Sequence, residues 1–248
     1  MKKIAADFII TQYQSGIQSY TDFTTKVGLW ASEKYVFEKY LKQTDKILDI
    51  GCGTGRTTFP LYQLGFQDIR GIDLTPEMIE AAQTLNKHYQ INIPFEVGDA
   101  TQLTYEDQAF DAVIFSFNGM MSIPKASNRQ KAVAEIYRVL KPNGVFIFTT
   151  HDRDKDPKYF ELWRQEREKW AAGQQDSRLY EFGDLLTVSK NESSGIFIHI
   201  PDKAEVIQLV ETIGFQVLET FYRIDKFEES EKVKAKSGEC RFWVVRKS

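Results

Sequence analysis

Short apolar runs alternate with longer amphipathic stretches along most of the chain. Apolar runs of about four to eight residues between turn-forming residues are typical of buried strands. When such runs alternate with amphipathic stretches, they predict βαβ units and a largely parallel sheet. The predicted strands are residues 46–50, 69–72, 94–97, 112–117, 145–150, 215–222 and 241–246.

The stretches between these strands have helical periodicity. The predicted helices are residues 54–64, 76–89, 128–140 and 203–213. The second begins clearly, because Thr75 supplies an N-cap hydroxyl, Pro76 needs no donor at the first helical position and Glu77 places an acid at the positive helix end. Residues 141–144, Lys-Pro-Asn-Gly, are expected to end the third helix and turn the chain into the next strand.

Two regions lie outside this alternation. Residues 1–41 carry aromatic residues at irregular spacing, and we expect one or two helices that pack over the sheet edge as a cap. Residues 152–200 form an insertion longer than a normal connection, with a charged helix at 160–170 and β character at 185–188 and 195–200. We predict that the insertion covers the substrate site; a solvated surface excursion is the alternative.

The composition is that of a soluble globular protein, with 42% hydrophobic and 27% charged residues. We predict one domain over residues 1–248. The formal net charge of -3 offers no basic surplus for binding nucleic acid. No run approaches the roughly 18 apolar residues of a membrane span, and the first residues lack the apolar run of a signal peptide. With only two cysteines, Cys52 and Cys240, we expect a reduced, cytoplasmic protein.

The residues that indicate a chemical function lie in and directly after the first predicted strand. Residues 47–56 read Ile-Leu-Asp-Ile-Gly-Cys-Gly-Thr-Gly-Arg, an apolar strand that enters a loop with glycine at every second position. A backbone without Cβ atoms can adopt positive φ and approach a ligand closely. At this point the sequence resembles the class I S-adenosylmethionine-dependent methyltransferases, whose first motif is acidic-x-Gly-x-Gly-x-Gly. The resemblance implies a doubly wound, Rossmann-like α/β fold with seven mostly parallel strands, helices on both faces and an antiparallel last strand.

Further matches extend the resemblance over residues 47–150. Asp73 closes the second strand, where the family's carboxylate accepts the ribose hydroxyls, and Asp99 follows the third, where an acid accepts a hydrogen bond from adenine. The fourth strand resembles the segment beneath the methionine part of the cofactor. The resemblance therefore implies S-adenosyl-L-methionine as cofactor and S-adenosyl-L-homocysteine as product, bound by Asp49, Gly51, Cys52, Gly53, Thr54, Gly55, Arg56, Asp73, Leu74, Met78, Gly98, Asp99, Ala100, Phe117 and Asn118.

Other interpretations of these residues remain. A dinucleotide site has the fingerprint Gly-x-Gly-x-x-Gly, whereas position 56 is Arg. Asp73 and Asp99 could be turn or cap residues, and Asn118 could simply close its strand. Cys52 is expected to fill space rather than act as a nucleophile. Asp49 could orient a cationic ligand directly or by fixing the loop.

His151 is the candidate general base. It directly follows the fifth strand, and ligands of open α/β sheets bind outside the carboxyl ends of the strands. A base is needed only if the acceptor is a hydroxyl or a protonated amine, because methyl transfer from a sulfonium mainly requires alignment. Packing beneath the insertion is the alternative for His151. His88 and His199 are expected to be structural, and no metal site is predicted.

The methyl acceptor is expected to be a small molecule. The family's enzymes that methylate nucleic-acid bases or protein glutamine often carry Asn/Asp-Pro-Pro-aromatic after the fourth strand, whereas residues 116–119 are Ser-Phe-Asn-Gly. The cap, the insertion and residues 119–125 should supply specificity. The predicted pocket wall is Tyr13, Tyr20, Trp30, Met120, Met121, Tyr159 and Trp163.

Two rival functions stay open. The first is an RNA methyltransferase, because basic residues cluster in the insertion, although acids interleave with them as on a solvated helix face. These residues are Arg153, Lys155, Lys158, Arg164, Arg167 and Lys169. The second is a non-catalytic S-adenosylmethionine-binding protein. The sequence pattern predicts no membrane contact and no particular oligomeric state.

Overall fold

The computed structural model describes residues 2–187 and 195–248 and contains a seven-stranded and a two-stranded sheet. The strands are β1 Ile47–Ile50, β2 Ile69–Asp73, β3 Phe95–Val97, β4 Phe110–Phe115, β5 Leu140–Thr150, β6 Asp184–Thr187, β7 Ile196–His199, β8 Phe215–Tyr222 and β9 Arg241–Lys247. The large sheet has the order β3-β2-β1-β4-β5-β9-β8, in which β9 is antiparallel to both neighbours. The predicted fold class, including the antiparallel last strand, is confirmed.

Helices cover both faces of the large sheet, where two separate apolar clusters form the core. The helices are α1 Ala6–Gln14, α2 Ile17–Lys26, α3 Ala31–Tyr40, α4 Thr58–Gln63, α5 Pro76–Tyr89, α6 Ala126–Val139, α7 Phe160–Ala171, α8 Lys203–Ile213, α9 Arg223–Lys226 and α10 Glu231–Lys234, with 3-10 turns at Gly119–Ser122 and Pro157–Tyr159. Not one of the described helices has the length and apolar character that crossing a bilayer requires.

Several predicted boundaries are wrong for local reasons. The helix predicted from residue 54 begins at Thr58, because Gly51, Gly53 and Gly55 all have positive φ and keep the chain in turns. The third helix ends at Val139, before residues 141–144, which already belong to β5. The fourth strand runs from Phe110 to Phe115, because the next two residues of its predicted range leave the extended conformation.

The predicted N-cap hydroxyl of α5 is also wrong. Thr75 occupies the N-cap position, but its side chain makes no capping hydrogen bond, and its buried Oγ1 has no partner among the described residues. The N–H of Thr75 instead donates to Asp73 Oδ1 at 2.8 Å. Asp73 thus fixes the turn into the helix, and Thr75 supplies backbone geometry only.

The cap contains three helices rather than one or two. α1 and α2 pack against α5, and α1 also contacts β7. α3 lies on a face of the sheet rather than at its edge, since Val36 and Phe37 join the core cluster that contains Ile47 and Phe242. The aromatic residues of the cap are divided: Phe37 is core, whereas others border a cavity.

The insertion contains the predicted charged helix, α7, and an antiparallel hairpin of β6 and β7. Val188, which was included in the predicted β stretch 185–188, lies outside the described residues. The hairpin forms a sheet of its own and does not extend the seven-stranded sheet. The described part of the insertion therefore lies beside the core as a separate helix and sheet.

A buried ion network joins this hairpin to the core. His199, 1% exposed, has Nδ1 at 2.8 Å from Asp184 Oδ1 and Nε2 at 2.6 Å from Glu205 Oε1. Glu205 on α8 also pairs with Arg153 at 2.9 Å. Burial disfavours the charged ring, but the two carboxylates prevail and raise the pKa of His199 above its ordinary value. Both ring nitrogens then donate, and His199 is structural.

We expect this histidine to make stability depend on pH. Because its folded pKa is raised, its contribution is complete below about pH 6.5 and is lost as pH rises through the folded value. His199→Gln should lower the free energy of unfolding by about 3 kcal/mol at about pH 6. Above that pH, the Tm of the variant should depend less on pH than the Tm of the wild type. His88→Gln, at an exposed histidine, is the control. A variant at 199 with the wild-type slope would contradict the assignment.

Candidate functional site

A cavity of about 670 Å³ opens at the carboxyl ends of β1, β2, β4 and β5. The strand order reverses between β1 and β4, which is where open α/β sheets bind their ligands. The cap, through α1 and α2, and the insertion, through β7, close the cavity from outside. Its volume is in the range of small-molecule and cofactor sites.

The glycine loop after β1 forms one wall. Gly51 and Gly53 border the cavity with φ of +61° and +54°. A Cβ at position 53 would meet no atom within 4 Å, so this backbone is open to a ligand. Gly55 does not border the cavity: a Cβ there would lie 2.5 Å from the Phe59 ring, and glycine is needed for packing. The predicted ligand contact of Gly55 therefore has no geometric support.

Asp73 and Asp99 both border the cavity, as predicted. Asp73 Oδ2 accepts the N–H of Gly53 at 2.9 Å, which ties the glycine loop to the end of β2. Burial raises the pKa of Asp73, against the opposing effect of its backbone donors. Asp99 Oδ1 accepts the N–H and hydroxyl of Thr101 at 2.7 and 2.8 Å, so Asp99 also makes a local turn. Its Oδ2 makes no hydrogen bond among the described residues.

Asp49 and Arg56, in contrast, offer no free charge to a ligand. Asp49 is buried behind the cavity wall, accepts a hydrogen bond from Thr58 Oγ1 at 2.7 Å, and has its pKa raised by burial to about 7. Arg56 borders the cavity, but its guanidinium pairs with Glu33 through contacts of 2.6 and 2.7 Å and donates to the Gly28 carbonyl. Both predicted residues fix the loop.

Glu33 is a site-supporting residue that the sequence analysis missed. It is 0% exposed and also accepts the N–H of Trp30, at the start of α3. The Arg56 guanidinium carbon lies 4.8 Å from the centre of the Trp30 ring and 5.3 Å from that of Phe117. No local pattern connects residues 33 and 56, so only the fold reveals the pair.

The other predicted cofactor residues all border the cavity. Cys52 is buried, which raises its thiol pKa well above the ordinary value and agrees with a space-filling role. Thr54 Oγ1 lies 2.6 Å from Thr24 Oγ1 on α2, so the cap and the loop are in hydrogen-bond contact. The remaining members of this group are Leu74, Met78, Gly98, Ala100, Phe117 and Asn118.

His151 borders the cavity with one ring nitrogen unprotonated. Its Nδ1 lies 2.6 Å from the carbonyl oxygen of Glu239. A carbonyl only accepts, so Nδ1 carries the proton and Nε2 of the neutral ring is an acceptor. Asn118 Nδ2 donates a long hydrogen bond to that Nε2, at 3.4 Å. Burial lowers the pKa of His151, so the ring is neutral at neutral pH. This is the state a general base requires.

The predicted pocket wall is only partly right. Tyr13 and Tyr20 border the cavity, and the Tyr13 hydroxyl lies 2.6 Å from Ser122 Oγ. The other predicted wall residues do not border it. Trp30 packs beside Arg56, the sulfur of Met121 accepts the N–H of His151, and the rest are buried or face away: Met120, Tyr159 and Trp163.

Residues outside the predicted wall replace them. They come from the cap, the insertion and the loop before β9: Ile4, Ile9, Tyr180, Ile196, Phe197, Ile198, Lys236, Ser237 and Gly238. The run of three apolar residues at the start of β7 was a usable signal. The loop before β9 had none, because nothing in the sequence of residues 236–238 marks them as neighbours of β5.

Several basic groups of the insertion are paired with acids. Arg164 pairs with Glu161 at 2.7 Å, and Arg153 pairs with Asp202. Glu181, Asp184 and His199 each place a ligand atom within 4.8 Å of the others. Asp184 and His199 are already paired with each other, and Glu181 pairs with Arg129. The cluster is thus an ion network.

Comparisons with known proteins agree with this geometry. A family model described as a methyltransferase domain matches residues 47–144. The demethylmenaquinone methyltransferase of Leptospira interrogans is 32% identical over 179 residues, which are 68% of this chain and 67% of that protein. The solved structure of an S-adenosylmethionine-dependent methyltransferase from Methanosarcina mazei has a TM-score of 0.71 at 21% identity, covering 89% of this chain and 99% of that chain.

A second solved structure includes ligands. It is the 1,6-didemethyltoxoflavin-N1-methyltransferase of Burkholderia thailandensis with bound 1,6-didemethyltoxoflavin and S-adenosylhomocysteine. Its TM-score is 0.66 at 15% identity, and the match covers 98% of this chain and 88% of that chain. At this identity the likeness concerns the fold.

The buried pair of Glu33 and Arg56 generates a stability prediction. Glu33→Gln removes a charge that compensates a buried guanidinium and should cost about 3 to 5 kcal/mol in the free energy of unfolding, measured in urea. Glu38→Gln is the matched control, because Glu38 lies on the same helix and makes only an exposed pair with Lys34 at 3.7 Å. Equal losses in the two variants would refute the assigned role.

Proposed function

The chain belongs to the class I S-adenosylmethionine-dependent methyltransferases, and we propose that its cavity binds S-adenosylmethionine together with a small-molecule methyl acceptor. It is an enzyme of this family. The observation that carries the proposal is the meeting of Gly53, Asp73 and Asp99 at one cavity, on three different strand ends. We also propose that cap, core and insertion form a single domain, because all three supply cavity walls.

The residues present fit the cofactor. The open space at Gly53 allows a ligand to approach the backbone. Each oxygen of Asp73 holds one backbone N–H and retains a lone pair for a ribose hydroxyl. The second oxygen of Asp99 is available to the adenine amino group. Two acids at this end also suit a ligand that carries a sulfonium and an ammonium.

When bound, S-adenosylmethionine supplies a methyl group on a positively charged sulfur. The chain's own contribution is to bind, align and exclude water. The turn after β4, where Phe117 and Asn118 both have positive φ, brings Asn118 Nδ2 to 3.4 Å from His151 Nε2. We assign to His151 Nε2 the acceptance of the proton that a hydroxyl or amine loses as it is methylated. The Glu239 carbonyl keeps the opposite nitrogen protonated.

A small acceptor is favoured over RNA. The cap and β7 cover the cavity, and the basic side chains Arg153 and Arg164 are already paired with acids. The Leptospira and Burkholderia proteins are named for methylation of demethylmenaquinone and 1,6-didemethyltoxoflavin. Release of S-adenosylhomocysteine from a screen of metabolites tests this function directly, and turnover of tRNA or rRNA alone would contradict it.

The glycine loop gives a test of cofactor binding. Gly53→Ala places a Cβ in the open space where we put the cofactor and should weaken S-adenosylmethionine binding at least about tenfold by calorimetry. Gly173→Ala is the matched control, because Gly173 also has positive φ, also faces open space and lies outside the cavity. Each variant should lose about 1 to 2 kcal/mol of stability from backbone strain. Wild-type cofactor affinity in Gly53→Ala would argue against the proposed site.

The base assignment has its own test. With an acceptor hydroxyl or amine, His151→Gln should lower kcat by about 10²- to 10⁴-fold and leave the dissociation constant of S-adenosylhomocysteine nearly unchanged. Because burial lowers the pKa of His151, wild-type activity should rise with pH through a midpoint below about pH 6.5 and then level off. The acidic limb should disappear in the variant. An NMR titration that gave His151 a raised pKa would exclude this role.

A further inference from the structure

The acidic and the basic residues that border the cavity lie at different sides of it. Asp73 and Asp99 lie at the ends of β2 and β3, where the proposed function places the cofactor. Lys236 lies at the opposite side, in the loop that precedes β9. The other cation on the wall, Arg56, is neutralised by Glu33. Within the described part of the chain, Lys236 makes no salt bridge.

The loop that carries Lys236 is held firmly. Arg223, 2% exposed, donates to Ser237 Oγ at 2.8 Å and to the Gly238 carbonyl at 3.1 Å, and it pairs with Glu239 at 3.0 Å. These contacts anchor the residues on the C-terminal side of Lys236. The position of the lysine backbone is therefore built into the fold.

The same loop contacts the candidate base. The Glu239 carbonyl accepts His151 Nδ1, and a Cβ at Gly238 would lie 3.5 Å from His151 Cε1. The Cα atoms of Lys236 and Gly238 are two residues apart, which is at most about 7 Å. A molecule of one ring can therefore reach the base with one substituent and the lysine with another. The cavity that both residues border is also lined by Tyr13, Tyr20 and β7, which are aromatic and aliphatic.

Resting on the proposed function, we propose that the methyl acceptor is a small aromatic acid. Its hydroxyl or amino group faces His151 Nε2, and its carboxylate or another anionic group is bound by the Lys236 ammonium. In the transfer, the nucleophilic oxygen or nitrogen forms a bond to the methyl carbon, the carbon–sulfur bond breaks, and the acceptor's proton moves to His151. Sulfur keeps the electron pair, so the cofactor leaves as neutral-sulfur S-adenosylhomocysteine.

The test uses a panel of hydroxy- and aminobenzoates, each beside its neutral carboxamide, with release of S-adenosylhomocysteine as the signal. Wild-type kcat/KM should be at least about tenfold higher for the acids. Lys236→Gln should raise KM for the acids by about tenfold, and Lys236→Glu by more, with kcat within about twofold and the carboxamides unaffected. Added salt should raise KM for the acids, because the lysine is exposed. Lys232→Gln is the control, on an exposed lysine outside the cavity.

Calorimetry with S-adenosylhomocysteine separates this inference from the proposed function. If Lys236→Gln weakens that ligand, the lysine binds the cofactor's own carboxylate and the inference is overturned. Equal turnover of acids and carboxamides, or turnover of no panel member while the wild type binds S-adenosylhomocysteine, also overturns it. If the wild type binds neither S-adenosylmethionine nor S-adenosylhomocysteine, the proposed function itself fails.

Discussion

The ion pair between Glu33 and Arg56 is the constraint on which the site depends. It joins α3 of the cap to the loop that follows β1, and both side chains are almost wholly withdrawn from solvent. A buried pair of this kind gives little net stability over an apolar pair, but either charge without its partner is costly. The cap and the glycine loop are therefore fixed relative to each other. The cavity between them, with its open backbone at Gly53, follows from that arrangement.

Local patterns predicted the fold well wherever the structure is locally determined. α5 and α8 have the predicted bounds, because periodicity acts together with a local end signal, Pro76 at the start of α5 and Gly214 at the end of α8. The antiparallel last strand also followed, through the resemblance. Predictions failed where a distant partner decides the structure. Trp30 was expected in the pocket wall, but Arg56 holds it in the core, and no local feature of residue 30 announces that contact.

The site residues also divide into those that local sequence indicates and those that only the fold reveals. Residues in the family's motifs were found from sequence, since their spacing is set by strand ends that follow one another closely along the chain. Asp49 and Gly55 belong to the motif but act behind the cavity wall. Lys236 could not be found, because the loop before β9 reaches His151 only after the chain has returned across the sheet. The part of the cavity where we propose the cofactor could thus be predicted from the sequence, whereas the part where we propose the acceptor required coordinates.

The position of β9 has a consequence for how the protein is made. This strand comes last in chain order, yet it lies between β5 and β8, pairing with six residues of one and seven of the other. While a ribosome is still adding the residues after β8, the edge of β5 has no neighbour and its backbone groups remain open to other chains. The sheet is therefore incomplete until β9 has been made, and the open edge of β5 is a site of possible aggregation during that interval.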